Sequence, residues 1–269
     1  RIDAVFFDSF LFLKTWHRSV FYFFLFSFIF FSCICSAQDI NTVVKEGDRL
    51  EAVPDEKAAF LKFKEALKIQ PTNLHALTKC SELCSRIGGR EKLNKKLRDD
   101  YYHAAIIYAK TALRLYPDND LANVTMAIAV GKTILLKSGK EKINAVKQLK
   151  EYAEKAIAVN PNNFKAWHIL GRWNYEVSNL NALERAGARI IYGGLPSASL
   201  KTAIKCYEKA KALSPNFAYN YLELAKAYNR NDEKAKAIAQ LKTLLTLKNQ
   251  SEDDPRIKTE AAVLLNSWS

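Results

Sequence analysis

The sequence of 269 residues contains little glycine, proline and cysteine: nine, seven and five residues. So few glycines and prolines argue against a turn-rich β-sandwich or barrel, and against a chain made mainly of linkers. Five cysteines are too few for a scaffold held together by disulfides. Alanine, leucine and lysine are abundant instead, and these residues favour helices. A hydrophobic content of 49% with 26% charged residues is typical of a folded chain.

An apolar segment of 16 residues, Val20 to Cys35, lies near the N-terminus. It follows the basic residues Lys14 and Arg18, and small residues up to Ala37 come directly after it. A basic flank, an apolar core and a small-residue exit are the three parts of a secretory signal peptide. An uncleaved anchor helix is the alternative, although a membrane span needs about 20 residues.

Residues 1–37 are therefore interpreted as a signal peptide or an N-terminal anchor with an upstream extension. Cleavage near Ala37 predicts an exported protein, periplasmic or secreted, that begins at Gln38. An uncleaved segment predicts a membrane-anchored or cytoplasmic protein instead. The remaining residues 38–269 carry 38 basic and 26 acidic side chains, so the folded part itself is basic, with a net charge of +12.

Four prolines mark a repeat within residues 38–269: Pro71, Pro117, Pro161 and Pro215. Each follows an alanine-containing apolar pattern of helical period, and Asn or Asp comes behind each proline. Proline ends a helix because it lacks an N–H group, and Asn or Asp caps the next helix. This pattern predicts an all-α fold, an irregular tetratricopeptide-like solenoid of helical hairpins wound as a right-handed superhelix.

The spacings between these prolines are 46, 44 and 54 residues. All three exceed the usual tetratricopeptide period of about 34 residues. We therefore expect an insertion between the helices of each unit, the main one at about residues 174–198. The stretch from Pro255 to Trp268 is expected to form a final capping helix, with Trp268 covering the end of the core.

The third unit contains the segments AWHILGRWNYEVSNL, LER and YGGLPSAS, all within residues 164–210. These segments resemble the regulator of microtubule dynamics family. The resemblance covers about residues 164–228 and extends more loosely back to about residue 50. It implies tetratricopeptide-like repeats and an association with microtubules. Because similar bacterial proteins carry signal peptides, an exported bacterial-type member is also compatible with it.

Charged and polar residues share one face of the helix in this unit. His168, Arg172 and Glu176 are spaced by four residues, so they could line a polar binding strip. The alternative is a structural network that also includes Glu184 and Arg185 and holds the insert on the solenoid. The residues predicted to contact a partner are Asn123, Lys165, His168, Arg172, Asn220 and Lys226.

Catalytic and metal-binding motifs are weak in this sequence. Gly131-Lys132-Thr133 lacks the earlier glycine of a phosphate-binding loop and lies in a helical pattern. Cys80 and Cys84 have no further Cys or His pair to complete a metal site, so they are expected to be buried. If the chain is exported, a disulfide between two of Cys80, Cys84 and Cys206 is the alternative. We expect no enzyme activity, no metal and no cofactor.

The net charge of +13 suggests an anionic partner. Lysine-rich clusters at residues 91–98 and 137–142 could contact acidic tubulin tails or anionic lipid, or could be solvated surface. No nucleic acid partner is expected, because aromatic residues do not alternate with these lysines. Membrane contact is expected only through the N-terminal apolar segment, if it is uncleaved.

The predicted function is that of a noncatalytic scaffold that binds a protein or peptide on its concave face. The alternative, which the family resemblance implies, is a microtubule-associated protein that regulates microtubule dynamics.

Overall fold

The computed structural model describes residues 39–268, so the interpreted leader at residues 1–37 lies outside the described part. Residues 39–268 contain twelve α-helices, a short 3₁₀ helix at Ile134–Leu136 and no strand. Within this range no helix is both long and apolar enough to be a membrane span. The α-helices are α1 Ile40–Ala52, α2 Glu56–Ile69, α3 Leu74–Arg90, α4 Lys95–Leu115, α5 Asp120–Thr133, α6 Gly139–Val159, α7 Phe164–Ser178, α8 Ala182–Tyr192, α9 Leu200–Leu213, α10 Ala218–Arg230, α11 Lys234–Thr246 and α12 Asp254–Trp268.

The helices pack as successive hairpins: α1 with α2, α3 with α4, α5 with α6, α7 with α9, and α10 with α11. The first helices of neighbouring hairpins also contact one another, in the order α3, α5, α7, α10 and α12. Among the described residues the second helices show no comparable packing on each other. The first helices, called the inner helices below, are therefore closer together and form the concave side. This arrangement confirms the predicted all-α helical-repeat solenoid.

The chemistry of the turns between hairpins explains this regularity. Asn73, Asn119 and Asn163 each lie two residues after a proline, and each side chain accepts a backbone N–H from the first turn of the next helix. At the same place in the fourth turn stands Phe217, which makes no such cap. Its ring packs edge-on against Phe164, with centroids 5.3 Å apart. The predicted polar cap is confirmed in three turns and wrong in the fourth, where ring packing replaces it.

Small residues allow the helices to approach closely. An alanine five residues before each proline is completely buried, and its carbonyl accepts the N–H of the residue before the proline. These residues are Ala66, Ala112, Ala156 and Ala210. Gly171 on α7 lies against Tyr207 on α9, and a Cβ at this glycine would be 2.8 Å from the ring. The side chain of Tyr207 thus occupies the space that a larger residue at position 171 would need.

The first two proline spacings result from long helices. Both α4 and α6 contain 21 residues, and only residues 91–94 separate α3 from α4. The predicted insertion is wrong for the first unit, because a proline spacing does not show whether extra residues lengthen a helix. In the second unit residues 134–138, with the short 3₁₀ helix, lie between α5 and α6. The third unit does contain an added element, since α8 and its loops lie between α7 and α9. This element begins after Ser178, later than the predicted residue 174.

The last helix, α12, covers the end of the solenoid. Trp268 packs against two buried clusters, one containing Leu241 and the other containing Tyr228. The position of Trp268 agrees with the predicted capping role of the segment from Pro255 onwards.

Candidate functional site

Charged side chains of the inner helices meet on the concave surface, called the groove below. The Nζ atom of Lys165 on α7 lies 2.6 Å from Oε2 of Glu82 on α3, although α5 stands between these helices in the chain. Burial alone would raise the pKa of Glu82, but the ammonium groups of Lys165 and Lys79 outweigh burial and lower the pKa to about 2. The groove is therefore curved enough to join side chains from helices that are two hairpins apart.

His168 is buried where α7, α9 and α10 meet. Asn220 donates an amide N–H to the carbonyl of Tyr207 at 2.9 Å, so its Oδ1 accepts from Nδ1–H of His168 at 3.0 Å. The imidazole is surrounded by the rings of Tyr207, Phe217 and Tyr219, with centroids 5.0 to 5.6 Å away. Burial lowers the pKa of His168 to about 4, although the hydrogen bond that the ring donates to Asn220 opposes this shift. His168 is thus a neutral packing residue at neutral pH.

A chain of alternating charges runs along the groove from α7 to α12. Arg172 lies 4.0 Å from Glu223, which also contacts Lys226 at 3.1 Å. Lys226 lies 2.7 Å from Glu260, and Glu260 is 3.9 Å from Arg256. The Arg172 side chain is 46% exposed and lies over the ring of Tyr219, 5.6 Å from its centroid. Its guanidinium is therefore available to a ligand, whereas Lys226 is held between two acids.

The two ends of the solenoid touch through one group of ion pairs, called the closure contact below. Glu56 at the start of α2 is completely buried, and its Oε2 lies 2.7 Å from Arg90 at the end of α3. Arg90 also lies 3.0 Å from Glu252 and 3.4 Å from Asp253, just before α12. The backbone N–H of Glu56 donates to Glu252 at 2.8 Å, across 196 residues of sequence. The first and last hairpins are thus directly joined.

Lys132 is a cation of the groove without an ion pair in the described residues. Its Nζ lies against α3, 3.3 Å from where a Cβ of Gly89 would be. Burial and the positive charge of Arg172 lower its pKa, and the carboxylate of Asp253, beyond ion-pair distance, opposes this shift. The hydroxyl of Tyr207 is also buried without a hydrogen-bond partner in the described part of the chain. Burial raises the pKa of Tyr207, and the charges of Glu223 and Arg172 also act on this hydroxyl.

Five of the predicted partner-binding residues are brought to this region: Lys165, His168, Arg172, Asn220 and Lys226. Asn123 is fully buried elsewhere on α5, and its amide donates to the carbonyls of Pro117 and Asn119. The side chains of Asn123 and Asn220 thus form hydrogen bonds inside the protein, because both point from the start of an inner helix into the core.

The three acidic and basic residues predicted to form a structural network are separated. Glu176 is exposed at the end of α7. Glu184 accepts the backbone N–H of Asn181 and so caps α8. Arg185 donates to the carbonyls of Leu180 and Ser178, both at 2.9 Å. Glu184 and Arg185 therefore hold α8 through backbone groups, and among the described residues neither forms an ion pair.

The three cysteines in the described part are buried free thiols: Cys80, Cys84 and Cys206. Burial raises the pKa of the Cys84 thiol to about 12 and that of Cys206 to about 11. The disulfide left open by the sequence is not formed between any two of them. Within the described range no group of three His, Cys, Asp or Glu side chains could hold a metal ion.

Sequence reasoning missed Lys132 as a member of the groove. In the sequence Lys132 stands out only within a possible phosphate-binding loop. The one signal for Lys132 is its place in the last turn of an inner helix whose only other charged residue is Asp120. That signal gains meaning only when α3, α7 and α12 are placed around it.

Comparison with known proteins identifies the family of the chain. The family model described as "Regulator of microtubule dynamics protein 1-3" matches residues 43–269. Regulator of microtubule dynamics protein 1 of Caenorhabditis elegans is 30% identical over 188 residues, covering 69% of this chain and 80% of that protein. The Bos taurus protein of the same name is 29% identical over 197 residues, which is 73% of this chain but only 61% of the bovine protein.

A solved structure of a thermophilic TPR protein from Thermus thermophilus superimposes with a TM-score of 0.62. It is 18% identical and covers 84% of this chain and 99% of its own, so the likeness concerns the fold alone. The family match covers most of the chain and includes every residue of the groove and the closure contact. The chain belongs to the regulator of microtubule dynamics family.

Proposed function

We propose that the chain is a noncatalytic helical-repeat scaffold whose groove binds an acidic peptide segment of a protein partner. The observation that carries this proposal is Lys132, a partly buried ammonium group without an acid within 4.0 Å in the described residues. The positive charges of Arg172, Arg256 and Arg90 act on it unfavourably, and among the acids only the more distant Asp253 acts in its favour. A cation without an ion-pair partner weakens the fold, and a carboxylate from a ligand would relieve the repulsion.

The charge balance of the groove and the closure contact supports an anionic ligand. Seven of the eight basic side chains have an acid within 4.0 Å, and the eighth is Lys132. The basic residues are Lys79, Arg86, Arg90, Lys132, Lys165, Arg172, Lys226 and Arg256. The acids are Glu51, Glu56, Glu82, Glu223, Glu252, Asp253 and Glu260. Lys132 is therefore the basic side chain of this set that a ligand carboxylate would pair with.

The donors around Lys132 suit a carboxylate on a peptide. Arg172 is half-exposed, and its weak contact with Glu223 at 4.0 Å leaves guanidinium N–H groups free to bind. Helical-repeat grooves of this kind accept extended or helical segments, with charged side chains that fix the ligand.

The noncatalytic part of the proposal rests on the state of the reactive groups. A thiol acts as a nucleophile in its thiolate form, and burial keeps Cys84 and Cys206 protonated by raising their pKa. His168 faces an amide and three aromatic rings, so it lacks the carboxylate and nucleophile of a catalytic set. We therefore propose that the groove binds a peptide and does not catalyse a reaction.

The test is selection of random peptides displayed on phage against the full chain, followed by fluorescence anisotropy with the enriched peptides. We expect enrichment of Asp and Glu, and about tenfold weaker binding to Lys132→Met, because a charge-assisted contact is lost. Lys110 is exposed on α4, the second helix of its hairpin and so away from the groove. Lys110→Met is the matched control and should bind the peptides like the parent.

Lys132→Met is also expected to unfold at a higher urea concentration than the parent, since it removes an unpaired cation from a partly buried position. A loss of peptide binding then cannot result from a loss of fold. Equal binding by the parent and Lys132→Met, or enrichment of peptides without acidic residues, would show that the groove does not act in this way.

A role at microtubules is the second candidate function, and family membership favours it. Exposed lysines such as Lys92, Lys95 and Lys140 would contact the acidic tails of tubulin. Binding to microtubules in a co-sedimentation assay at low salt, and its loss at high salt, would support this role. No binding at low salt would exclude it. N-terminal sequencing of the natively produced chain adds a second criterion, because an exported product that begins at Gln38 would not meet microtubules.

A further inference from the structure

A short acidic segment of the chain lies between α11 and α12. It consists of Ser251, Glu252 and Asp253 and is called the acidic turn below. Oε2 of Glu252 lies 3.0 Å from Arg90 at the end of α3, and Oδ2 of Asp253 lies 3.4 Å from the same guanidinium. The backbone N–H of Glu56 also donates to Glu252, at 2.8 Å. The acidic turn thus belongs to the closure contact and places two carboxylates on a cation of the second hairpin.

Three basic side chains from three helices interact with Asp253 and are called the cation cluster below. The carboxylate of Asp253 lies 3.4 Å from Arg90 and 3.8 Å from Arg256. Lys132 is beyond ion-pair distance, but the charge of Asp253 still acts in its favour. The charges of Arg90 and Arg256 act on Lys132 unfavourably, so the three cations are close enough to repel one another.

The acids of the closure contact differ in how deeply they are buried. Glu56 is completely buried and lies 2.7 Å from Arg90, so it is a fixed part of the fold. The side chains of Glu252 and Asp253 are 32% and 21% exposed. The acidic turn contains no apolar side chain, and ion pairs and hydrogen bonds hold it against α2 and α3. Because ion pairs that reach solvent are weak, an acid from a ligand can replace Glu252 and Asp253, but not Glu56.

The charges of the cation cluster indicate how many acids a ligand would supply. Arg90 keeps the buried Glu56 when the acidic turn is displaced. Lys132 has no acid within 4.0 Å in the described residues. Arg256 keeps Glu260 at 3.9 Å, but this acid is shared with a lysine that lies closer, at 2.7 Å. Two cations of the cluster therefore remain for a ligand, and two carboxylates match them.

We propose that the acidic turn is an internal substitute for the peptide ligand, and that the cation cluster binds two neighbouring acidic residues of a partner in its place. Glu252 and Asp253 show that two adjacent acids fit beside Arg90. A ligand has one advantage over the acidic turn, since it is free to bring a carboxylate to Lys132 as well. The inference rests on the proposed function, because it concerns the same groove, and it adds a defined ligand chemistry and an internal competitor.

The first test measures peptide binding by the double variant Glu252→Gln, Asp253→Asn of the full chain. Fluorescence anisotropy with the enriched acidic peptides compares this variant with the parent. A competitor that occupies a site about 90% of the time weakens the apparent affinity about tenfold, so we expect the double variant to bind about tenfold more tightly. Urea unfolding of the double variant verifies that it is folded.

Glu260→Gln is the matched control for the loss of negative charge. Asp253 and Glu260 lie 3.8 and 3.9 Å from Arg256, so Asp253→Asn and Glu260→Gln each remove one charge beside the same guanidinium. If the loss of charge alone mattered, the two single variants would bind the peptides equally well. Because Asp253 belongs to the acidic turn and Glu260 does not, we expect Asp253→Asn to bind more tightly.

Amide hydrogen exchange gives a readout that does not depend on affinity. The N–H of Glu56 is protected by its hydrogen bond to Glu252, so it should exchange faster when a peptide displaces the acidic turn from the parent. The N–H of Ala58 donates to Asp55 within the same helix start and should keep its exchange rate. A peptide that binds without displacing the acidic turn would leave both rates unchanged.

Two synthetic peptides of equal length and charge test the chemistry of the ligand. One carries Glu and Asp as neighbours, and the other carries the same two acids separated by four alanines. We expect the peptide with neighbouring acids to bind more tightly to the parent, because its carboxylates match the spacing of the acidic turn.

Equal affinity of the parent and the double variant would overturn the inference and leave the proposed function intact. Equal effects of Asp253→Asn and Glu260→Gln, or an unchanged exchange rate of Glu56 in the peptide-bound parent, would do the same. Equal binding of the two synthetic peptides would overturn the preference for neighbouring acids. If neither the parent nor the double variant bound any acidic peptide, the proposed function would be wrong and this inference with it.

Discussion

Lowering the pH should decrease the free energy of unfolding, because His168 is buried as a neutral ring. Its pKa is about 4 in the folded chain, compared with 6.5 for the ordinary side chain, because burial disfavours the charged ring. As the pH falls, the unfolded chain therefore binds a proton before the folded chain does. The stability due to the neutral ring is fully present above about pH 6.5 and is lost progressively down to about pH 4. From these two pKa values, about 2 kcal/mol of unfolding free energy disappears between about pH 7.5 and pH 5.

Urea unfolding of the parent and of His168→Gln at these two pH values measures this effect. Glutamine does not titrate, and its amide can still bind Asn220, so the variant should lose about 2 kcal/mol less than the parent on acidification. The comparison concerns the change with pH, so a lower stability of the variant at neutral pH does not disturb it. His103→Gln, at an exposed position, is the control and should keep the dependence of the parent.

The acids of the groove do not interfere in this window. The pKa of Glu82 is lowered to about 2 from 4.5, so its contribution is lost only as the pH falls below its ordinary value. If the parent and His168→Gln lose the same free energy between the two pH values, the ring of His168 accepts a proton without cost. That result would refute the buried, neutral state described for this residue.

Two further predictions concern packing and the closure contact. Gly171→Ala should lower the unfolding free energy by about 1–3 kcal/mol, because the added Cβ would lie 2.8 Å from the ring of Tyr207. Gly187→Ala, at a place with no atom within 4 Å, should not be destabilising, and equal effects of the two changes would contradict the packing argument. Arg90→Met removes the cation that lies 2.7 Å from the buried Glu56 and leaves it only Arg86 at 3.5 Å, so it should cost about 3 kcal/mol in urea unfolding. A loss below about 1 kcal/mol would mean that Arg90 contributes no more than a surface ion pair.

The helix boundaries can be predicted from the sequence because they depend on local chemistry. Pro161 and Asn163 act within one turn, and neither needs a distant residue to end one helix and start another. The lengths of α4 and α6 are not predictable in this way, because a long amphipathic pattern fits either a long helix or a helix with an insertion. The lack of a polar cap at Phe217 could not be predicted either, since its ring packs against Phe164 from another hairpin.

The groove can be predicted only in part. Arg172 is found because it shares one stripe of a single helix with His168 and Glu176, and Lys165 because it lies near the start of that helix. Asn123 is selected for its position near a helix start, and this position does not reveal that its amide binds the carbonyl of Pro117 in the core. The lowered pKa of Lys132 depends in part on Arg256, which lies 124 residues later in the chain. A local sequence pattern cannot predict a contact between residues so far apart.

The closure contact changes how the array of hairpins should come apart. In an open solenoid each repeat touches only its neighbours, so the terminal repeats fray first and independently of each other. Here the N–H of Glu56 donates to Glu252, so opening either end breaks this hydrogen bond. The terminal hairpins are thus coupled into one cooperative unit, and amide hydrogen exchange in α2 and α12 should slow down and speed up together.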